Sequence, residues 1–441
     1  MSSLTERLVV LLRRPVDAAT RARAALHLLD WLGCATAGAA RAEGAPFRAR
    51  AASPGPSRIL FAGDAAPSDA AFANGAFGNI LEMDDVHRGA ILHPGPVVWP
   101  AVFAAAQAQG APPQAMLDAG VRGYDAVIRL GRALGPAHYA RFHNTATAGP
   151  IGSAAAVADL SGLDEGAFAD ALGNALSTAG GLWQCRHEAV LTKQWHTAQA
   201  ARSGLDAALM AAAGLTGARR ILEGPQGFLP GLCPDGEPSH ILEAPDAPWL
   251  IHATSFKPWP ACRHCHPAID AALALREATA GRKILSAEVA TYADAVLFCD
   301  KPDPQTEAQA KFSLQHAVAV ALTDGPPALA AFTAEATRRS ELAALRACVT
   351  VRADPRFTAR YPAHFGASVT LGLADGASLS ADMPDALGDP ENPLPAAQVA
   401  EKAMSLFAAA GLDDSQAAAL RDAALALPHA ASARTLFSLL P

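Results

Sequence analysis

The densest group of ionisable side chains in this 441-residue sequence lies in one short segment, residues 82–93. Only 17% of the residues are charged, yet this segment holds carboxylates and imidazoles between apolar flanks: Glu82, Asp84, Asp85, His87, Arg88 and His93. Burial and neighbouring charges shift the pKa values of such groups toward neutrality, so the segment is predicted to transfer protons. If residues 73–86 form one helix, the acids line one face of it. The alternative is a helix C-terminus whose acids pair with Arg88 and whose imidazoles cap carbonyl groups.

Three further groups of ionisable residues follow along the chain. His143 precedes a run of small residues that begins a predicted helix, whose free amides can bind an anionic group. Lys193 lies between apolar neighbours, where it can pair with a carboxylate or stabilise developing negative charge, although an ordinary surface lysine is the alternative. The last group lies at a proposed domain junction, a common place for ligand sites, and comprises Lys257, Arg263, His264 and His266.

Cys262 and Cys265, beside two histidines, resemble half of a zinc site. Structural zinc needs four converging ligands, and no second Cys or His pair has suitable spacing. Nucleotide, serine-hydrolase and zinc-protease motifs are also absent from the sequence. We therefore predict acid–base chemistry with no metal and no cofactor. Removing a proton next to a carboxylate needs a base and cations that hold a dianionic enediolate, so small polycarboxylates fit as substrates.

The overall charge argues against several classes of partner. The sequence has 35 basic and 42 acidic residues, a net charge of −7, and no long cluster of Lys and Arg, so nucleic acid is not an expected partner. Its first residues lack the order of a signal peptide, and Pro, Gly, Gln or His interrupt the uncharged stretches. We expect a cytoplasmic protein without a membrane segment. Seven scattered cysteines do not suit a disulfide framework.

The elements that position these groups are predicted to be mainly helices. The sequence is 51% hydrophobic, rich in Ala and only 6% aromatic, which favours helices that pack closely. Helical spacing of apolar residues predicts helices over 17–40, 70–84, 97–108, 114–134, 149–160, 164–178, 194–214 and near residue 269. Runs typical of strands are confined to the region after Gly224, at 287–298, 348–353 and 367–373, with helices at 312–323 and 329–333 between them. Ala-rich helices return after residue 395, and we expect them to rejoin the first domain.

Several ordered motifs together resemble the MmgE/PrpD family over nearly the whole chain. They are Asn74-Gly, Leu-Glu-Met-Asp-Asp-Val-His at 81–87, His93-Pro-Gly, Gly123-Tyr-Asp, Arg129-Leu-Gly, Phe142-His-Asn-Thr, Thr192-Lys, Leu222-Glu-Gly, Lys257-Pro-Trp-Pro-Ala-Cys-Arg-His and Lys311-Phe-Ser-Leu-Gln-His.

The resemblance implies a fold, an assembly and a chemistry. It implies a large all-helical domain made from both chain ends (1–254 and 390–441), a smaller inserted α+β lid domain (255–389), and a homodimer. It also implies cofactor-independent chemistry on a small di- or tricarboxylate. Position by position, His93, His143 and Lys193 match residues that line the family's active site, the segment from Lys257 to His266 matches its lid-side stretch, and Asp84 and Asp85 match its acid pair.

Three departures separate this chain from the decarboxylase members of the family. The motif Glu82-Met-Asp-Asp-Val86 replaces Asp-Phe-Asp-Asp-Thr, so a threonine hydroxyl is missing and the leading acid is one methylene longer. His316 stands where those members carry a tyrosine, and the spacing from Glu82 to His93 is one residue longer. Decarboxylation of cis-aconitate is therefore an alternative and not the leading hypothesis.

The leading hypothesis is a dehydratase-type lyase. In it His143 or His93 removes the α-proton, another imidazole or Asp85 protonates the departing hydroxyl, and Lys193, Lys257 and Arg263 hold the carboxylates. Glu82, Asp84, His87, Arg88, His264, His266 and His316 are further candidate substrate contacts. An epimerase acting on an iminodisuccinate-like dicarboxylate is the second hypothesis, and a helical binding or scaffold protein without turnover is the third.

Overall fold

The computed structural model describes residues 2–50, 53–188 and 190–441, and 58% of it is helical with small sheets. The fold class is therefore mainly α, as the composition predicts. Among the described helices, none combines the length and the apolar character that a bilayer crossing requires. The chain divides into two compact units, Met1–Thr254 with Pro395–Pro441, and Ser255–Leu394.

The first part of unit 1 is a set of helices and one small hairpin. The helices are α1 (Leu4–Leu12), α2 (Ala18–Ala40), α3 (Ala45–Arg48), α4 (Pro67–Ile80), α5 (Gly95–Gln109), α6 (Pro113–Arg132), α7 (Pro136–Tyr139), α8 (Asn144–Leu160), α9 (Glu165–Ser177), α10 (Thr192–Ala212) and α11 (Phe228–Leu232). Strands β1 (Ser57–Ile59) and β2 (Gly63–Ala65) pair antiparallel. Short 3-10 turns lie at Ala42–Gly44, Trp183–His187, Pro238–Ile241 and Leu250–Ala253.

Small residues let these helices approach closely. A Cβ atom on Gly38 of α2 would lie 2.2 Å from the Phe77 carbonyl oxygen of α4, and one on Gly204 of α10 would lie 1.9 Å from Oγ of Ser153 on α8. The Ser153 hydroxyl donates to the Ala200 carbonyl at 2.8 Å and links α8 to α10. This close packing matters for the site, because α8 begins just after His143 and α10 begins just before Lys193.

Unit 2 combines helices with a four-stranded sheet of order β4-β3-β5-β6. Its strands are β3 (Ile284–Thr291), β4 (Val349–Ala353), β5 (Ala367–Leu373) and β6 (Ser378–Met383); β3 is parallel to β4, and the other pairs are antiparallel. Its helices are α12 (His266–Arg276), α13 (Ala293–Cys299), α14 (Glu307–Lys311), α15 (Leu314–Thr323), α16 (Ala334–Thr337), α17 (Ser340–Arg346) and α18 (Pro355–Thr358), with 3-10 turns at Arg263–Cys265, Glu277–Thr279 and Leu329–Phe332. The apolar faces of α12, α15 and the sheet share one core, which includes Ile269, Val318 and Val369.

The chain then returns to unit 1 through α19 (Ala396–Ala409), α20 (Asp414–Ala426), a 3-10 turn at Leu427–His429, and α21 (Arg434–Ser438). Helix α19 packs on α2, where a Cβ atom on Gly33 would lie 3.1 Å from Cα of Ala403. This packing brings the C-terminal segment to the N-terminal helices.

Three predicted elements differ from the structure. The β1–β2 hairpin lies in unit 1, so strands are not confined to the region after Gly224; each of these strands has only three residues, too few to show an alternating pattern. The run 287–298 is a strand only to Thr291, and its second half is the helix α13. Helix α4 ends at Ile80, so the acidic residues from Glu82 onward lie in a loop and not on one helical face.

Candidate active site

The loop after α4 changes direction at Glu82, whose φ is 57°. A non-glycine residue in this left-handed region carries a conformational cost, and such residues cluster at functional sites. The side chain of Glu82 is 7% exposed and reaches Lys193 at the start of α10. Nζ of Lys193 lies 2.5 and 2.6 Å from the two carboxylate oxygens. This bidentate ion pair joins two predicted site residues that are 111 positions apart in the sequence.

Asp84 is the acid that the structure places beside His93. Nδ1 of His93 lies 2.8 Å from Oδ2 of Asp84. The Asn79 amide donates to both oxygens of the same carboxylate, at 3.0 and 2.9 Å. The backbone N–H of His93 donates to Oγ1 of Thr145 on α8 at 3.1 Å. Asp84 thus lies within ion-pair distance of the imidazole, although Nδ1 of His93 makes no hydrogen bond of acceptable geometry among the described residues. A carboxylate beside an imidazole can support acid–base chemistry.

Asp85 faces a different set of partners inside unit 1. Tyr124 donates its hydroxyl to Oδ2 at 2.6 Å, Nδ1 of His27 lies 2.7 Å from the same oxygen, and the Gly95 N–H donates to Oδ1 at 2.8 Å. Burial raises the pKa of Asp85 to about 6, although the hydrogen bonds from Tyr124 and Gly95 oppose this shift. Both oxygens therefore hold α2, α5 and α6 against the loop, a geometry that favours a supporting role.

His143 is the N-cap residue of α8, and its backbone N–H donates to the Gly181 carbonyl at 2.9 Å. Its ring stacks on Trp183, with ring centroids 4.4 Å apart, and its centroid lies 6.4 Å from that of His93. Burial holds the pKa of His143 well below its usual value, and the charge of Lys193 lowers it further. A neutral imidazole at neutral pH is the form that accepts a proton.

His196 was not among the predicted site residues. One turn after Lys193 on α10, it places Nδ1 3.3 Å from Nδ1 of His143. Burial and the charge of Lys193 lower the pKa of His196 to about 4. The sequence signal was a histidine three positions after the lysine, on the same helical face.

His87 and Arg88 are buried within the loop. The Ala90 N–H donates to Nδ1 of His87 at 3.1 Å, and the backbone groups of His87 and Leu92 bridge the loop. Burial, followed by the charges of Arg132 and Arg88, lowers the pKa of His87 to about 3. His87 therefore stays neutral across the physiological range and shapes the loop through its acceptor nitrogen.

The lowered pKa of His87 predicts how stability depends on pH. Between about pH 3 and pH 6.5 the unfolded chain binds a proton at His87 that the native state does not, so the free energy of unfolding should rise with pH in this window, by about 1.4 kcal/mol per pH unit for one proton. His87→Gln retains an acceptor and should flatten the slope by about this amount. Urea unfolding between pH 4.5 and 7.5 measures it. His240→Gln, at a histidine whose side chain is 37% exposed, is the matched control, and an unchanged slope in His87→Gln would contradict the prediction.

Lys402 on α19 is a second residue that the sequence did not single out. Its Nζ donates to Oδ1 of Asp30 and to the Met83 carbonyl, both at 2.6 Å. The contact is buried, and burial raises the pKa of Asp30 to about 6 despite Lys402. Helix α19 therefore fixes the backbone between Glu82 and Asp84 through this hydrogen bond to the Met83 carbonyl.

The predicted residues of the other unit form their own buried group. Arg263 donates to Oδ1 of Asp389 and to the Leu387 carbonyl, and its guanidinium lies 3.1 Å from Nδ1 of His266. Lys257 is 1% exposed. Nδ1 of His264 lies 2.6 Å from the Tyr292 hydroxyl, and its ring stacks on Phe298 and Phe365.

His316 lies on α15 of unit 2 and is fully buried. Its Nε2 lies 2.8 Å from the Ala331 carbonyl, and its Nδ1 lies 3.2 Å from Arg346. Burial lowers the pKa of His316 to about 4. Both ring nitrogens are thus held by unit 2 itself, which is the pattern of a core histidine.

One group of possible metal ligands occurs among the described residues, and it lies away from the predicted site residues in the sequence: His364, Asp385 and Glu391. Nδ1 of His364 already lies 2.7 Å from Asp385, and Arg360 lies 3.7 Å from the same carboxylate. A nearby guanidinium opposes a bound cation. Cys262 and Cys265 form no disulfide bond among the described residues and are not part of this group.

A cavity of about 510 Å³ lies next to the histidine pair in unit 1. His196 lines it, together with residues from the 178–188 segment, including Gln184, and from α10, including Gln199 and Ser203. The cavity therefore reaches the imidazole that contacts His143.

Comparisons with known proteins agree with the sequence motifs. Models of the MmgE/PrpD N-terminal and C-terminal domains match residues 7–241 and 259–427. The chain is 30% identical over 275 residues to the cis-aconitate decarboxylase of Homo sapiens, covering 59% of this chain and 56% of the human protein. It is 28% identical over 312 residues to that of Mus musculus (66% and 61%) and 32% identical over 212 residues to that of Aspergillus terreus (46% and 43%). Each match spans less than two thirds of the relative. Because the two family models together match most of its length, this chain belongs to the MmgE/PrpD family.

Proposed function

We propose that this protein is a cofactor-independent lyase of the dehydratase type that acts on a small di- or tricarboxylate. The observation that carries the proposal is the grouping in unit 1 of an imidazole beside a carboxylate, a neutral imidazole and a lysine: His93 with Asp84, His143, and Lys193. Proton removal next to a carboxylate needs a neutral base and a cation that stabilises the developing charge. These residues supply both.

The roles follow from their partners. Asp84 lies beside His93, and His143 is neutral, so these two imidazoles are the acid–base pair of the proposal. Lys193 holds a substrate carboxylate, in exchange for part of its contact with Glu82. Asp85 supports the loop and does not transfer a proton. Lys257, Arg263, His264 and His266 remain proposed substrate-side residues of the α+β domain, whereas the partners of His316 favour a structural role.

Decarboxylation is the second candidate, because the relatives reported above are named cis-aconitate decarboxylases. The family resemblance implies that Val86 and His316 stand where decarboxylase members carry Thr and Tyr, which counts against this candidate. An epimerase is the third candidate, since two imidazoles with centroids 6.4 Å apart could serve opposite faces of one carbon. Dehydration and epimerisation need a base that removes a proton next to a carboxylate, whereas decarboxylation needs an acid that protonates carbon; in all three a cation can stabilise the developing negative charge.

Incubation in deuterated water with citrate-like, aconitate-like, tartrate-like and aminodicarboxylate compounds separates these reactions. Ligands from this panel should first raise the melting temperature, because a ligand that binds only the native state stabilises it. A dehydratase yields an unsaturated product, a decarboxylase releases CO₂, and an epimerase yields a deuterated stereoisomer, all readable by NMR and gas analysis. The proposal would be contradicted if no member of the panel stabilised the protein and none was turned over.

Other expectations remain predictions. We also propose a domain division at residues 254–255 and 389–390, a lid role for the α+β domain, a cytoplasmic location and a homodimer. A homodimer would cover the large apolar side chains that unit 1 exposes around the start of α10, Leu182, Val190, Leu191 and Trp195.

A further inference from the structure

The contact between His143 and His196 joins two imidazoles through the same type of nitrogen. Nδ1 of each ring lies 3.3 Å from Nδ1 of the other, with the ring centroids 5.4 Å apart. Both rings are buried, at 2% and 8% exposure. Lys193 lies close enough to disfavour a positive charge on either ring. Two neutral imidazoles in contact share one N–H between them, so their tautomers are coupled.

The coupling fixes what His143 can do. If Nδ1 of His143 carries the hydrogen and donates to His196, Nε2 of His143 has a free lone pair and is a base. If Nδ1 of His196 carries it, Nε2 of His143 bears the hydrogen and is an acid. Nε2 of His143 has no hydrogen-bond partner within residues 2–50, 53–188 and 190–441. The protonation of His196 thus sets the role of His143.

Each turnover also leaves a proton to be exchanged. Dehydration leaves the base with one proton too many and the acid with one too few, and decarboxylation consumes a proton at carbon. His143 is too buried to exchange directly with bulk water when substrate covers Nε2. His196 lines the cavity of about 510 Å³, so its ring offers a second path.

We propose that His196 is a positioning residue that sets the tautomer of His143 and carries protons between His143 and this cavity. When Nε2 of His143 takes a substrate proton, Nδ1–H passes its proton to Nδ1 of His196, and Nε2–H of His196 releases one to water in the cavity. The number of protons on the pair is then unchanged. In the reverse sequence, Nε2–H of His143 protonates a carbon or a leaving group, Nδ1–H of His196 passes its proton to Nδ1 of His143, and Nε2 of His196 takes one from water in the cavity. This inference rests on the proposed function, because it requires His143 to exchange a proton with the substrate.

Two substitutions separate orientation from proton transfer. The amide of His196→Asn can keep a hydrogen bond to Nδ1 of His143 but cannot relay a proton, whereas His196→Ala loses both roles and opens space beside the cavity. We expect kcat to fall on the order of 10²-fold in both, with KM changed little. Added imidazole should restore part of kcat in His196→Ala only. Gln199→Ala, which alters the same cavity from the same helix, is the matched control and should retain kcat.

A measurement without turnover tests the pair independently of the proposed function. In protein labelled with ¹⁵N-histidine, the Nδ1 and Nε2 shifts of His143 should report one dominant tautomer, and His196→Asn should change them. Unchanged shifts, or full kcat in His196→Asn, would overturn the inference. Shifts that respond to His196→Asn, combined with no turnover of any panel compound by the unsubstituted protein, would support the tautomer coupling and count against the proposed function instead.

Discussion

Replacement of His143 by Gln is expected to lower kcat by about 10²- to 10⁴-fold while leaving the fold intact. His143 is neutral because burial and Lys193 disfavour its charged form, and its Nε2 is the ring nitrogen left available for a substrate. Glutamine keeps a polar group at the N-cap position of α8 but cannot take up a proton. Steady-state kinetics on whichever panel compound turns over measures the loss, and circular dichroism confirms folding.

The comparison with two other histidines makes this result specific. His93→Gln should cause a loss of similar order, because His93 lies beside Asp84 and is the second imidazole of the proposed acid–base pair. His240→Gln replaces a partly exposed histidine beside Glu243 and should leave kcat unchanged. Near-normal kcat in His143→Gln would remove His143 from the mechanism and favour a binding protein that turns nothing over.

The fold was predictable where local sequence and packing agree. Helix α2 begins after Asp17, whose carboxylate accepts from the Thr20 N–H at 2.7 Å, and β5 occupies the predicted residues Ala367–Leu373. The Ala-rich pattern alone could not predict where α4 ends. The helix ends two residues before Glu82, whose positive φ is incompatible with a continued helix and whose side chain contacts Lys193; no local signal encodes a partner 111 residues away. Tertiary contact here overrides helix propensity.

The candidate site was predictable by residue type and not by pairing. The sequence singled out five carboxylates and imidazoles between residues 82 and 93, but only the structure separates Asp84, which contacts His93, from Asp85, which contacts His27 and Tyr124. Neighbouring positions in a loop point in different directions, and no periodicity relates them. The Lys402–Asp30 contact joins residues 372 positions apart, and local sequence could not predict it either.

The geometry also explains why three charged residues can occupy so apolar a region. Glu82 and Lys193 neutralise each other, and Asn79 hydrogen-bonds both oxygens of Asp84. Buried charges are tolerated only when paired and hydrogen-bonded. In the proposed function, an incoming carboxylate would compete with Glu82 for Lys193.

Lys193 gives the second large prediction, because it pairs with Glu82 and is also proposed to hold the substrate carboxylate. Substitutions can separate these two roles. Lys193→Met removes the cation that holds the substrate carboxylate, and kcat/KM should fall by about 10²- to 10³-fold. It also deprives the carboxylate of Glu82 of this partner in a mostly buried setting, so the free energy of unfolding should fall by about 1–3 kcal/mol. Lys283→Met, at an exposed lysine, should change neither quantity.

The double variant Lys193→Met with Glu82→Gln separates stability from catalysis. Removing both charges should recover most of the lost stability, since no carboxylate is left without its lysine, whereas kcat/KM should stay low because the cation is still missing. Lys193 also lowers the pKa of His143, so the pH at which activity declines on the acid side should move upward in both variants that lack it. Recovery of kcat/KM together with stability would mean that Lys193 only neutralises Glu82 and that another cation binds the substrate.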